Sequence, residues 1–213
     1  MRAACGTPCE QEAPATGSYR GVLWMVLILN AIMFLVELGA GLAAGSVSLQ
    51  ADALDFLGDS ANYGISLFVL GMSLRRRASA SLIKGGSMGM FGIWVFGHTG
   101  YRLLNGGVPS AVIMGGVGML ALAVNVLCAV LLFAYRGGDS NMRSVWLCSR
   151  NDALGNLAVI LAASSVFATG AGWPDLLVGS IIAALALSAS FQILRQAIGE
   201  LRAPAIQHGA AEG

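Results

Sequence analysis

Acidic side chains recur at helical spacing within one strongly apolar part of the chain. Asp52, Asp55, Asp59 and Asn62 follow one another at steps of three, four and three residues, which places them on one face of an α-helix. An ionised aspartate at the centre of a membrane helix costs roughly 2.5–3.5 kcal/mol on insertion scales. Carboxylates one turn apart at such a depth repel one another unless a positive charge lies between them.

A second polar stripe lies further along the chain, where Cys148, Asp152 and Asn156 repeat every four residues. Carboxylates and thiolates are ligands for divalent metals, and two pairs from two facing helices suit a tetrahedral ion. The two stripes therefore predict a metal site formed by Asp55, Asp59, Cys148 and Asp152. The alternative is a structural role, with protonated carboxyl groups hydrogen-bonded inside a helix bundle.

The elements that must position these residues are apolar stretches of membrane-spanning length. A bilayer core requires about 20 apolar residues per helix, and the chain contains six such stretches. They lie near 21–44, 48–74, 80–103, 110–135, 142–169 and 174–198. We therefore predict an all-α membrane protein, a six-helix transmembrane domain over 21–198, with a polar N-terminal tail (1–20) and a short C-terminal tail (199–213).

The composition agrees with a protein that resides in lipid and excludes several other classes. Hydrophobic residues make up 56% of the chain and charged residues 11%, whereas soluble domains carry roughly 25% charged residues. The net charge of +1 shows no excess of basic residues of the kind that binds nucleic acid. The two histidines, His98 and His208, are too far apart for a metalloprotease motif. No nucleophile–base pair is evident, so we expect no enzymatic activity.

The distribution of basic residues predicts the orientation. An excess of Lys and Arg marks the cytoplasmic side of a membrane protein. If the N-terminus is cytoplasmic, Arg102 is the only basic residue assigned to the outer side. Both termini are therefore expected in the cytoplasm. The basic residues on the inner side are Arg2, Arg20, Arg75, Arg76, Arg77, Lys84, Arg136, Arg143, Arg195 and Arg202.

Two motifs carry a resemblance to a known family. Residues 51–59 (ADALDFLGD) and 152–156 (DALGN) resemble the second- and fifth-helix motifs of the cation diffusion facilitator family, and the resemblance extends to Trp173-Pro-Asp175. It implies proton-coupled efflux of Zn²⁺, or of Cd²⁺ or Co²⁺, by alternating access across a bacterial inner (cytoplasmic) membrane, as in heavy-metal resistance. Metal ions and protons would be substrates, and no cofactor is expected.

Carried over residue by residue, the resemblance implies that Asp55, Asp59 and Asp152 match family ligands. Cys148 stands where the family usually has His or Asp, and its softer sulfur favours Zn²⁺, Cd²⁺ or Co²⁺ over Mn²⁺ or Mg²⁺. Many members also carry a cytoplasmic C-terminal domain. The short tail after the sixth predicted span leads us to expect a short form without it.

Other polar residues have secondary roles in this interpretation. Glu37 belongs to a proton path or to a helix–helix hydrogen bond. Asp52 is an exit ligand or, as we favour, a carboxylate that stabilises the start of its helix. Together with Glu37 and Asp52, Asn62 and Asn156 are candidates for the surroundings of the ligands or for a proton path, although most intramembrane amides join helices.

The remaining candidates lie at the periphery. Cys5 and Cys9 could capture metal at the cytoplasmic mouth, although an unstructured reduced tail is favoured. Gly85-x-x-x-Gly89 permits close helix approach, either in an internal seam or, as we favour, in a homodimer through the third helix. Two functional alternatives stay open: a proton-driven exporter of small organic cations, and a non-transporting membrane subunit or metal sensor in which Cys5 and Cys9 are the working residues.

Overall fold

The computed structural model describes residues 17–68, 74–135 and 140–202, with the backbone alone for 140–150 and for a few positions near the ends of other helices. These residues form six α-helices, and no β-strand occurs among them. The predicted all-α bundle of six helices is therefore confirmed. The helices are α1 (Gly17–Ala44), α2 (Val47–Phe68), α3 (Leu74–Asn105), α4 (Ala111–Phe133), α5 (Ser140–Thr169) and α6 (Trp173–Arg202).

Four of these helices contain segments that are long and apolar enough to cross a membrane. The segments are Ser18–Ala44, Ala111–Phe133, Asn151–Thr169 and Trp173–Arg202. Helices α2 and α3 are more polar, because α2 carries the aspartates of the first stripe and α3 carries a run of arginines near its start. The polarity of α2 is accommodated by its position, since it packs against α1, α3, α5 and α6.

The helices divide into two groups around α2. One group contains α1, α2, α4 and α5, in which α4 packs against α1 and α5. The other group contains α3 and α6, which pack against each other. Large apolar side chains on the outer faces are exposed, among them Leu35, Met90, Val112 and Leu185. An outward apolar surface on a bundle with a polar centre is the arrangement expected in lipid, where each polar group must find its partner inside the protein.

The contact between α3 and α6 depends on glycines. A Cβ atom on Gly89 would lie 2.7 Å from Ser190 Oγ, and one on Gly92 would lie 2.8 Å from Leu187 Cδ2. Ser190 Oγ also donates a hydrogen bond of 2.7 Å to the carbonyl oxygen of Gly85. The prediction that this glycine motif forms a homodimer face is therefore wrong: α6 covers it, so the motif forms an internal seam.

Short connections bring three helix junctions together at one end of the bundle. Residues 45–46, 106–110 and 170–172 join α1 to α2, α3 to α4 and α5 to α6. The Ser110 amide donates to the carbonyl oxygen of Ala44 at 3.0 Å. Gly45 and Gly170 each have a φ of 63°, a left-handed conformation that ends helices and suits glycine. We call this region the short-loop end.

Asp175 of α6 caps the first turn of α2 at the short-loop end. Its Oδ1 accepts hydrogen bonds from Ser46 Oγ (2.7 Å), Ser48 Oγ (2.6 Å) and the Ser48 amide (2.9 Å). Its Oδ2 accepts one from the Val47 amide at 2.8 Å. The first amides of a helix lack partners within the helix and attract negative charge. A buried carboxylate on α6 therefore caps α2 and ties the α3–α6 pair to the central helix.

Removal of this cap should destabilise the bundle. We expect Asp175→Ala to lower the free energy of unfolding by about 2–4 kcal/mol, since charged hydrogen bonds and a helix cap are lost together. The apparent melting temperature in detergent should fall by about 5–15 °C. Glu200→Ala, at the other end of α6, is the control, because the Glu200 side chain accepts a hydrogen bond only locally, from Gln196. Equal melting temperatures for the two variants would contradict this role.

Candidate cation site at the centre of the bundle

The facing stripes of α2 and α5 bring three aspartates together. Asp59 and Asp152 lie close enough for a side-chain hydrogen bond between their carboxyl groups, and Asp55 lies within electrostatic range of both. Asp59 is only 5% exposed, whereas Asp55 and Asp152 are half-buried. Three carboxyl groups in an apolar interior cannot all be ionised unless a cation offsets their repulsion; without one, at least one of them must hold a proton.

The fourth predicted ligand, Cys148, lies outside the side chains that the structure describes, and Cys5 and Cys9 lie outside the described residues altogether. The backbone of α5 continues through position 148, one turn before Asp152. Among the described residues, no three His, Cys, Asp or Glu side chains form an arrangement ready to hold a metal ion. The four-ligand set therefore stays a prediction.

A glycine of α5 allows the two stripes to approach each other. A Cβ atom on Gly155 would lie 3.7 Å from Asp52 Oδ1 and 4.0 Å from Asp55 Oδ2. A longer side chain at this position would enter the space beside both carboxyl groups. Gly155 therefore keeps the surface of α5 next to these aspartates free of side-chain atoms.

A lysine lies at the end of the stripe nearest to the carboxyl end of α2. Lys84 of α3 is only 7% exposed, and its Nζ donates a hydrogen bond to Asn62 Oδ1. It also interacts electrostatically with Asp59, whose Oδ2 accepts a hydrogen bond of 2.6 Å from Tyr63. From the sequence, Lys84 is predicted only as a basic residue on the inner side. The one feature that sets it apart in the sequence is its position among apolar and small residues.

Asp52, at the other end of the stripe, does not have the role that we favoured. It lies beyond the first turn of α2, and Asp175 caps that helix. Asp52 is fully buried, and its Oδ2 accepts a hydrogen bond of 2.5 Å from Asn156 Nδ2. Asn156 Oδ1 in turn accepts one of 2.9 Å from Asn125 Nδ2. The prediction of a helix-start carboxylate is therefore wrong, because a different residue satisfies the first amides.

Glu37 of α1 completes the polar centre. It is fully buried, faces Asp52 at side-chain hydrogen-bonding distance and lies within electrostatic range of Asp55. Neither of its oxygens receives a hydrogen bond from an N–H or hydroxyl group of the described residues. The structure therefore joins Glu37 to the α2 stripe through Asp52.

Comparison with known proteins now identifies the family. Residues 23–202 match the family model of the cation efflux transmembrane domain. The chain belongs to this family. The match runs from α1 to the last residue of α6, and it confirms the resemblance to cation diffusion facilitators drawn from the two motifs. Together with the four apolar spans, it makes this cation efflux domain an integral membrane protein.

Two curated relatives carry the same name, "Cadmium, cobalt and zinc/H(+)-K(+) antiporter". The protein of Bacillus subtilis (strain 168) is 24% identical over 198 residues, which cover 85% of this chain and 63% of the relative. The protein of Bacillus velezensis (strain DSM 23117 / BGSC 10A6 / LMG 26770 / FZB42) is 24% identical over 200 residues, covering 86% and 63%. The chain thus spans less than two thirds of the length of these relatives.

Lys84 should stabilise the folded bundle through its charge. Lys84→Met removes the positive charge beside Asp59 and the donor to Asn62 Oδ1, so the protein should melt at a lower temperature than wild type. Lys84→Arg, which keeps the charge, is the control and should melt closer to wild type. Thermal melting in detergent measures the effect. Equal melting temperatures for Lys84→Met and wild type would contradict this prediction.

Proposed function

We propose that the chain exports a divalent metal cation across the membrane. The metal would bind between α2 and α5 at Asp55, Asp59 and Asp152, with Cys148 as the fourth ligand. The observation that carries this proposal is the pairing of Asp59 of α2 with Asp152 of α5, with Asp55 in electrostatic range of both, inside a domain of the cation efflux family. Intramembrane carboxyl groups are costly, and those that occur commonly mark ion pathways.

The charge balance of the site supports a divalent cargo. If Asp55, Asp59, Asp152 and a Cys148 thiolate were all ionised, the site would carry four negative charges, and Lys84 supplies one positive charge beside Asp59. A divalent cation would offset two of the remaining three charges, whereas a monovalent cation would offset only one.

The ligand chemistry favours borderline and soft metals. A thiolate at Cys148 would raise affinity for Zn²⁺, Cd²⁺ and Co²⁺ relative to Mn²⁺ and Mg²⁺. The names of both relatives include cadmium, cobalt and zinc. We therefore propose Zn²⁺, Cd²⁺ and Co²⁺ as the substrates.

Proton coupling follows from the same ligands. Carboxylate and thiolate groups bind metal only when deprotonated, so protons compete with the metal. We propose that metal enters from the cytoplasm, that the bundle then opens the site outward, and that protons move inward. With both termini cytoplasmic, the domain would reside in a bacterial inner membrane and would transport its substrate without chemical conversion.

Loss of either central aspartate should abolish transport. We expect Cd²⁺ or Zn²⁺ uptake into inside-out vesicles to fall to background in Asp59→Asn and in Asp152→Asn, because each change removes a charged ligand without changing side-chain size. Glu200→Gln is the control and should transport normally. Near-normal uptake by both aspartate variants would rule the metal site out, and a variant-sensitive flux of organic cations without metal binding would favour the organic-cation exporter.

Cys148→Ser should change metal selectivity more than it changes folding. Replacement of sulfur by a harder oxygen should weaken Cd²⁺ binding by about tenfold or more while Mn²⁺ binding changes little. Cys128→Ser is a matched control, since Cys128 is buried on α4, where Asn30 donates a hydrogen bond to its sulfur. Competition titrations with Cd²⁺ and Mn²⁺ measure the ratio. An equal Cd²⁺ to Mn²⁺ ratio in Cys148→Ser and wild type would exclude Cys148 as a ligand.

A further inference from the structure

Four buried polar residues meet at one level of the bundle, each from a different helix. They are Glu37 of α1, Asp52 of α2, Asn125 of α4 and Asn156 of α5, and none is more than 1% exposed. We call them the carboxyl–amide cluster. None of the four belongs to the proposed set of metal ligands.

The hydrogen bonds of the cluster run in one direction. Asn125 Nδ2 donates to Asn156 Oδ1, and Asn156 Nδ2 donates to Asp52 Oδ2. The chain of amides therefore delivers an N–H donor to Asp52. A hydrogen bond from a donor favours the ionised form of a carboxyl group. The contact with Asn156 therefore favours Asp52 as a carboxylate.

Glu37 has no such support. Both of its oxygens, together with Asp52 Oδ1, lack a hydrogen bond from an N–H or hydroxyl donor of the described residues. Glu37 and Asp52 nevertheless face each other at hydrogen-bonding distance. Two facing carboxyl groups in a dry interior satisfy each other when one carries a proton and donates it to the other. The arrangement assigns that proton to Glu37, with Asp52 Oδ1 as the acceptor.

No cation of the described residues is among the groups that act on Glu37. Helix α1 packs against α2 and α4, and Phe34 also meets Phe91 of α3. Lys84 of α3 acts on Asp59 and Asn62, at the other end of the stripe. The groups of α2 that act on Glu37 are Asp52 and Asp55, both acidic, and α4 carries no Asp, Glu, Lys or Arg in its sequence. Asp152 of α5 adds a further acid within electrostatic range of Asp52.

We propose that Glu37 and Asp52 form a proton site separate from the metal ligands, and that its proton leaves when a divalent cation binds to Asp55, Asp59 and Asp152. This inference rests on the proposed function. The bound metal places positive charge next to Asp55, within range of Glu37, and so repels the proton, which departs as H⁺ and leaves two carboxylates. Metal release lets one proton return. By linkage, the proton weakens metal binding by the same factor as the metal weakens proton binding.

A dedicated proton site differs measurably from simple competition at the ligands. In simple competition, every displaced proton comes from a residue that binds the metal. Here, one of them comes from Glu37, which does not touch the metal. The number of protons released per metal ion can therefore be lowered without loss of metal binding.

The test uses Glu37→Gln in the full-length protein. Glutamine keeps the shape and donates an N–H to Asp52 Oδ1 permanently. We expect Cd²⁺ affinity to match wild type at low pH and to improve less as pH rises, with about one proton fewer released per Cd²⁺ bound. Vesicle uptake should correspondingly respond less to a pH gradient. Asn30→Ala, another buried polar position on α1, is the control and should keep the wild-type proton count.

Each other outcome overturns the proposal. An unchanged proton count in Glu37→Gln would make the pair structural, and loss of Cd²⁺ binding at every pH would place Glu37 among the ligands. If the number of protons released per Cd²⁺ changed when K⁺ replaced choline in the buffer, the site of Glu37 and Asp52 would bind an alkali ion and not a proton. If Glu37→Gln does not fold, Asp52→Asn provides the same measurement. Failure of the proposed function is distinct, since it would appear as normal Cd²⁺ binding in Asp59→Asn and Asp152→Asn.

Discussion

The repulsion among carboxyl groups in an apolar interior is the constraint on which this structure depends. Asp52, Asp55 and Asp59 on α2 meet Asp152 on α5 and Glu37 on α1 where the surrounding residues are mostly apolar. Water reaches at most the half-buried Asp55 and Asp152, so protons, amide donors, Lys84 or a cation must offset most of this repulsion. Each kind of compensation acts in a different part of the site. A proton acts at the Glu37–Asp52 pair and an amide donor at Asn156, whereas Lys84 acts on the α3 side of the bundle and a cation at the proposed metal position.

The scaffold positions this charged centre by enclosing one helix. Because α2 is too polar to face lipid, it packs against four neighbours, and glycines allow the close contacts that enclosure requires. A Cβ atom on Gly179 of α6 would lie 2.7 Å from Val47 Cγ1, at the point where Asp175 caps α2. The α3–α6 pair is thus attached to α2 by a charged cap at one end and by Lys84 beside Asn62 towards the other. Any movement of this pair relative to the other four helices must act on both attachments.

The sequence predicts the part of the site that depends on the spacing of polar residues along a single helix. Asp55, Asp59 and Asp152 repeat with the helical period on two apolar spans, so their faces could be identified before their neighbours were known. The partners of Asn62 and Asp52 could not be identified in this way. Lys84 reaches Asn62 from α3, and Asn125 reaches Asp52 through Asn156, and both contacts depend on the rotation of separate helices about their own axes.

The sequence by itself determined the six helices, the membrane as their surroundings and the two acidic stripes, because hydrophobic length and helical periodicity are local properties of the chain. Only the tertiary structure decided which polar groups satisfy one another. It placed Asp175 on the first amides of α2, turned Gly85, Gly89 and Gly92 of α3 towards α6 and set Glu37 against Asp52. These choices arise from packing between helices distant in sequence, because several rotations and pairings of the helices satisfy the same pattern of apolar residues, and contacts between buried polar groups select among them.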